Sequence, residues 1–396
     1  MRKIYLDQAA TSFPKAPGTV DAVCRFMADC GCNIGRGSYA GAYAAEELVY
    51  DTRTLLCRLL GGRSMTADPK HAVFTKNVTE SLNILIKGFL QPGDHVLVSS
   101  MEHNAVMRPL HQLERHGVHF TRVPCSPDGS MNPEELEKRI GPATKAVIIL
   151  HASNVCGTLL PAAQIGAVCR ARGIRFILDA AQTAGVLPLD MDAMCIDALA
   201  FTGHKGLLGP QGTGGFLIRD DMAAEIEPLI AGGTGSISHT EEIPGFLPDR
   251  FEAGTLNLPG IAGLRASLTW ISEQPEGSIL AHELKLTDLF LQEMEVLEEE
   301  GLLRIIGSHG TEGRVGVVSI VPLHQDPAEL AFRLDEQYGI ATRVGLHCAP
   351  AAHQTLGTFP GGTVRFSFGV FNTESEIEMA VQAVKRLCHP EGKTWN

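Results

Sequence analysis

The sequence predicts an α/β protein with a large domain, built on a mostly parallel seven-stranded sheet, and a smaller C-terminal α/β domain. Three observations predict it. Between residues 70 and 220, short β-rich runs alternate with helix-like stretches, which requires crossover connections and a parallel sheet covered on both faces. Residues 221–258 are rich in glycine and proline and read as an irregular, ordered connection. From about Leu303 the strand–helix rhythm resumes on a smaller scale. A chain of 396 residues has room for two or three domains.

In order, the strand-like runs are 72–75, 95–99, 118–123, 146–150, 175–178, 198–202 and 215–218. Between them lie helical patterns at 79–89, 105–116, 134–140 and 162–172. Two long helical patterns follow at 260–274 and 279–300, the second ending in an acidic cluster that reads as a solvated face. The smaller unit shows strands at 315–321 and 364–368 and helices at 327–338 and 374–387. The expected division is a large domain over 15–260 and a small one made of 261–396 with residues 1–14. No internal repeat or low-complexity linker interrupts this order.

Hydrophobic residues make up 44% and charged residues 20%, ordinary values for a globular protein. A net charge of -12 argues against general nucleic-acid binding, which wants a basic face. No run approaches the ~20 apolar residues that span a bilayer, and the first residues carry no apolar signal core. A cytoplasmic protein with no nucleic-acid or membrane partner is therefore expected. The ten cysteines should be mostly reduced there. Cys24, Cys30 and Cys32 have a spacing that fits no common zinc or iron–sulfur pattern, so no metal is expected.

Two segments carry most of the chemistry. In the first, Lys205 stands between His204 and the glycine-rich turn Gly206–Gly214, directly after the apolar run 198–201. That setting suits a lysine forming a Schiff base with a phosphorylated cofactor, the glycines letting backbone approach a ligand. A solvated surface charge is the alternative. In the second, Cys348 follows His347, with Arg343 five positions upstream, a setting for a thiol of tuned ionisation.

Other strand ends carry polar groups. Asp179 ends the run 174–179, where a partly desolvated carboxylate wants a cation; a helix cap is the alternative. Thr75–Glu80 joins a strand to a helix with Thr79 in its first turn, so backbone amides at the helix start offer a phosphate site, or Asn77 or Thr79 simply caps the helix. His103 follows a strand and could stack on a planar cofactor or be structural. Asn154 follows another and could donate to a ring oxygen. Arg365 lies inside an apolar strand and needs an anion, for which a carboxylate fits.

With these residues assembled, the chain resembles the class V aminotransferase family of pyridoxal-phosphate enzymes, and within it the Suf-type cysteine desulfurases and selenocysteine lyases. The resemblance runs from Tyr5-Leu-Asp-Gln-Ala-Ala10 past Arg365, through Ser153–Thr158, Asp179–Gln182, Gly203–Pro210, Arg250–Thr255 and Arg343–Ala349. It implies a fold type I transferase and the cofactor pyridoxal 5'-phosphate. Lys205 would hold the cofactor and shuttle protons, Asp179 would pair with its ring nitrogen, and His103 would stack on the ring. Gln182 and Asn154 would lie near the ring oxygen and substrate, and Val78, Thr79, Thr202 and His204 would bind the phosphate. Thr255 would reach the phosphate site of a neighbouring subunit, implying a homodimer. Arg365, with Arg343, would hold the substrate carboxylate. Cys348 would take sulfur from L-cysteine as a persulfide, leaving L-alanine, with His347 or Arg343 helping it ionise. L-selenocysteine is the alternative substrate, and another class V aminotransferase or lyase the lower one. The continuation 349–353 and Thr202 depart from the usual Suf-type pattern, and the short segment around Cys348 implies a sulfur-acceptor protein.

Overall fold

Thr144–Leu150 is apolar from Ala146 onward, the pattern of a strand covered on both faces. In the structure, a computed structural model describing residues 3–35, 37–66 and 68–389, that strand lies inside a seven-stranded sheet. The order is Ala72–Thr75, Gly214–Ile218, Ala198–Thr202, Arg175–Asp179, Thr144–Leu150, His95–Ser99 and His119–Val123. Six strands run in one direction and Gly214–Ile218 runs against both of its neighbours. Glycine is required in that reversed strand, because a Cβ on Gly215 would lie 2.3 Å from the carbonyl oxygen of Val73. The expected sheet is present, with strand ends moved by one or two residues.

Side chains alternate across this sheet as a period of two demands. Leu97, Val147, Ile149, Phe176, Leu178, Leu199 and Phe201 enter one core. Val96, Val98, Ile148, Ile177 and Phe216 enter the other, beneath Val78–Phe89 and Asn104–Glu114. Each such burial contributes about 2 kcal/mol. Leu258–Ser272 sends Ile261, Leu264, Leu268 and Ile271 into the first of these cores.

A four-stranded antiparallel sheet follows, in the order Arg343–Gly345, Thr363–Ser367, Val317–Pro322, Leu303–Ile306. Leu286, Phe290 and Met294 of Ser278–Glu299 pack on it with Ile377 and Val381 of Glu374–Cys388. Ile4 and Leu6 are buried in the same cluster, and Ile4–Tyr5 pairs with Ile340–Ala341. These two- and three-residue strands carry too few residues for a sequence period, so the strand–helix rhythm does not reveal them.

Three parallel strands end at one level, since Leu150 pairs with Asp179 and Asp179 with Ala200. The loops leaving them converge, and in open α/β sheets this is where ligands bind. Among the described residues, no helix is long and apolar enough to cross a membrane.

Candidate active site

Asp179 and Lys205 meet at these strand ends. The Asp179 carboxyl is buried, accepts the N–H of Ala181 at 2.9 Å, and is pushed up in pKa by burial. Lys205 keeps part of its surface on a cleft, yet the enclosure of its amine lowers it to about 8, with Asp179 acting in opposition. Both line a cleft with Val78, His103, Asn154 and Gln182. No helix begins after Asp179, so its bond to Ala181 closes a local turn rather than capping a helix.

The glycines around Lys205 are required by protein packing. A Cβ on Gly203 would lie 2.2 Å from Thr213 Oγ1, one on Gly206 2.6 Å from the Ala184 carbonyl, and one on Gly214 2.6 Å from Asn77 Cα. Of the glycines from 203 to 215, Gly212 alone takes a positive φ, 75°, while Leu208 takes 57°. The turn therefore holds Lys205 by close backbone contact with 184 and 213.

His103 caps the helix Asn104–Glu114, its Nδ1 accepting the Ala105 N–H at 3.0 Å. A neutral ring then carries its proton on Nε2. Burial, helped by Lys205, lowers this histidine to about 4, so the wall it forms is uncharged at neutral pH. Just before it, Glu102 is fully buried and accepts from Leu150 N at 3.1 Å and Ser99 N at 3.3 Å, joining two strand ends. The sequence reading missed Glu102. A carboxylate three residues past an apolar strand was its signal.

At the other end of the cleft, Asn77 caps Val78–Phe89 by accepting the Glu80 N–H at 3.0 Å. As first helical residues, Val78 and Thr79 keep amides with no acceptor inside the helix. Thr202 Oγ1, His204 Nδ1 and Asn154 Oδ1 are buried without a protein partner. Such atoms are costly unless something else bonds them. Gln182 donates to the Ala9 carbonyl at 3.2 Å. Thr255 is exposed and lines a different cleft, with Thr75, Lys76 and Thr213.

Arg365 is 2% exposed, and its fork is already engaged. Nη2 donates to Asp7 Oδ1 at 2.7 Å and Nη1 to the Asn154 carbonyl at 3.0 Å. The anion that the sequence required is thus supplied by Asp7, which the reading had not singled out. Its signal was the same as that of Asp179, a carboxylate ending the apolar run Ile4-Tyr-Leu6. Arg343 lies opposite Arg365 in the antiparallel register, which sets both side chains on one face.

Cys348 sits on an unusual turn. His347 and Cys348 take φ of 46° and 59°, left-handed values that cost a non-glycine residue about 1–2 kcal/mol each. Contacts hold the turn there. Asn154 Nδ2 donates to the His347 carbonyl at 2.7 Å, and Asn104 N donates to the Cys348 carbonyl at 2.8 Å. His347 Nε2 pairs with Thr363 Oγ1 at 2.8 Å. Cys348 itself stays exposed, a thiol presented by a backbone tied to the cleft. Burial, reinforced by Arg365, lowers His347 to about 2, so it brings no positive charge to Cys348 at neutral pH.

The structure therefore brings Lys205, Asp179, His103, Asn154, Gln182 and Val78 to one cleft, with Arg365 and the Cys348 turn joined to it through Asn154. The chain is 32% identical over 391 residues to a probable cysteine desulfurase of Methanothermobacter thermautotrophicus, covering 97% of this chain and 94% of the relative. Its fold superposes on the apo cysteine desulfurase of Thermococcus onnurineus with a TM-score of 0.90 at 30% identity, over 98% of this chain and 94% of that one. The cysteine desulfurase CsdA of Escherichia coli gives 0.85 at 28% identity, over 97% and 94%. Residues 4–379 match the aminotransferase class-V model, and the chain belongs to that family.

Proposed function

We propose that this chain is a pyridoxal-phosphate-dependent cysteine desulfurase, converting L-cysteine to L-alanine with the sulfur carried on Cys348 as a persulfide. The observation that carries the reading is the exposed Cys348 thiol on a strained turn tied by Asn154 and Asn104 to the Lys205 cleft. Relatives named cysteine desulfurase support it.

The cofactor fits the residues present. Orphaned buried atoms on Thr202, His204 and Asn154 lie on the same strand-end loops as an amine and a carboxylate. That is a donor–acceptor set for a flat, phosphorylated aromatic aldehyde. Val78, Thr79, Thr202 and His204 would take its phosphate, Asp179 its ring nitrogen, and Lys205 its aldehyde carbon. When bound, pyridoxal phosphate supplies an electron sink for charge developing at the substrate Cα.

The chain's own groups do the rest. With its amine lowered to about 8, Lys205 has a usable neutral fraction near neutral pH, and so accepts and returns protons at substrate carbon. The neutral His103 ring covers one side of the cleft without adding charge. Arg365 and Arg343 hold the substrate carboxylate. The Cys348 thiolate attacks the substrate sulfur: an S–S bond forms, the Cβ–S bond breaks, and a proton goes to Cβ to give alanine. The reaction is redox-neutral, and the outer sulfur then passes to an acceptor thiol. A cytoplasmic homodimer in which Thr255 serves the neighbouring site belongs to the same reading.

Alanine release from L-cysteine and L-selenocysteine, in wild type and Cys348→Ala, tests it. Cysteine turnover that disappears in the variant while the cofactor absorption remains is the expected result. Turnover of selenocysteine alone, retained by the variant, would make the protein a selenocysteine lyase instead.

A further inference from the structure

Arg365 enters catalysis already holding a carboxylate. Its ion pair with Asp7 is short, 2.7 Å, and enclosed: the Arg365 side chain is 2% exposed and that of Asp7 17%. The second arm of the fork is taken by the Asn154 carbonyl, and Nε is buried without a partner. Two carboxylates gathered on one guanidinium repel each other unless another cation attends. Arg343 is that cation. It stands opposite Arg365 in the strand register, is exposed, and has no ion-pair partner among the described residues. The charges of Asp7, Arg365 and Arg343 all reach Lys205, Asp7 raising its pKa and both arginines lowering it. Asp7 therefore belongs electrically to the cleft, although it comes from the far N-terminal segment.

We infer that Asp7 is a specificity-determining residue that sets the affinity for the substrate carboxylate. It is a built-in competitor for Arg365, leaving the Asp7–Arg365–Arg343 set with one uncompensated positive charge that a single α-carboxylate closes. An asparagine at this position still accepts a hydrogen bond from Arg365 but no longer competes as an anion. Removing the charge therefore tightens carboxylate binding, whereas mere structural damage loosens it, so the two roles predict opposite signs. The inference rests on Arg365 as the carboxylate holder, which is part of the proposed function.

The test titrates pyridoxal-phosphate-loaded protein with L-alanine, a product that is not turned over, and follows the visible absorption of the cofactor. Asp7→Asn should lower the Kd for alanine about tenfold, and Asp7→Ser should move it the same way. Asp7→Glu, which keeps the charge, should stay within about twofold. The KM for cysteine should fall with Kd while kcat does not rise. Alanine binding unchanged or weakened in both neutral variants would overturn the inference. Arg365→Ala separates the two layers of argument. If it binds alanine as tightly as wild type, the carboxylate assignment is wrong and the Asp7 inference falls with it. If it loses binding while wild type releases no alanine from cysteine, the proposed reaction fails and the Asp7 titration still stands.

Discussion

The Lys205 cleft and the Cys348 turn use opposite means to make reactive side chains. In the cleft, burial works on the groups themselves, lowering Lys205 to about 8 and His103 to about 4 and raising Asp179. At the turn, the reactive thiol is exposed and burial works on its neighbour, lowering His347 to about 2. The cleft tunes ionisation by enclosure, while the turn fixes position by bonding its backbone. A group that must hold a cofactor gains from enclosure; a group that must pass sulfur onward needs an open face.

The sharpest way to break this contrast is to remove each nucleophile. Lys205→Ala should abolish cysteine turnover, by about 10³-fold or more, and also lose the characteristic cofactor absorption. Cys348→Ala should abolish persulfide formation equally but keep that absorption. If both variants lost the cofactor, the turn would prove part of the cofactor site rather than a separate device.

Asn154 joins the two regions, and Asn154→Ala should lower kcat about tenfold by freeing the His347 carbonyl. Single-turnover persulfide labelling against steady-state alanine release would show whether sulfur transfer is the step slowed.

The pH dependence of stability isolates one buried group of the turn. His347 has a folded pKa of about 2 against an ordinary 6.5, so between these values the unfolded chain binds more protons. Stability from this residue is complete above pH 6.5 and is lost as pH falls, by about 1 kcal/mol per unit. Glu102, raised to about 8 by burial, tilts stability the other way, losing it as pH rises from its ordinary 4.5. Urea unfolding of wild type and His347→Asn from pH 7 to pH 5 subtracts that common part. The variant should lose less stability on acidification, and parallel profiles would place the His347 proton affinity near that of a free histidine.

The smallest effect expected is that of Thr363→Val, which removes the partner of His347 Nε2 and should cost about 1–2 kcal/mol in unfolding free energy. A loss of activity much larger than the loss of stability would show that this contact holds the turn and not merely the fold.

Most of the large sheet was legible because its signal is local. Runs of three to five apolar residues between helical patterns announce strands, and the strand ends after Leu150, Asp179 and Thr202 then point to where polar residues gather. Lys205, Asp179 and Cys348 stood out by their immediate neighbours. The packing role of the glycines around Lys205 was not legible, because only the fold shows Gly214 lying against Asn77.

What the sequence by itself determined was the alternation of strands and helices from residue 72 to 218, the family resemblance, and the candidate residues for a cofactor, since each depends on spacing along the chain. Only the tertiary structure decided that Asp7 occupies Arg365 across 358 residues, that His347 is neutral, and that Asn154 ties the Cys348 turn to the cleft. Those features depend on which distant groups are enclosed together, and enclosure sets both charge and partner in ways that no local pattern records.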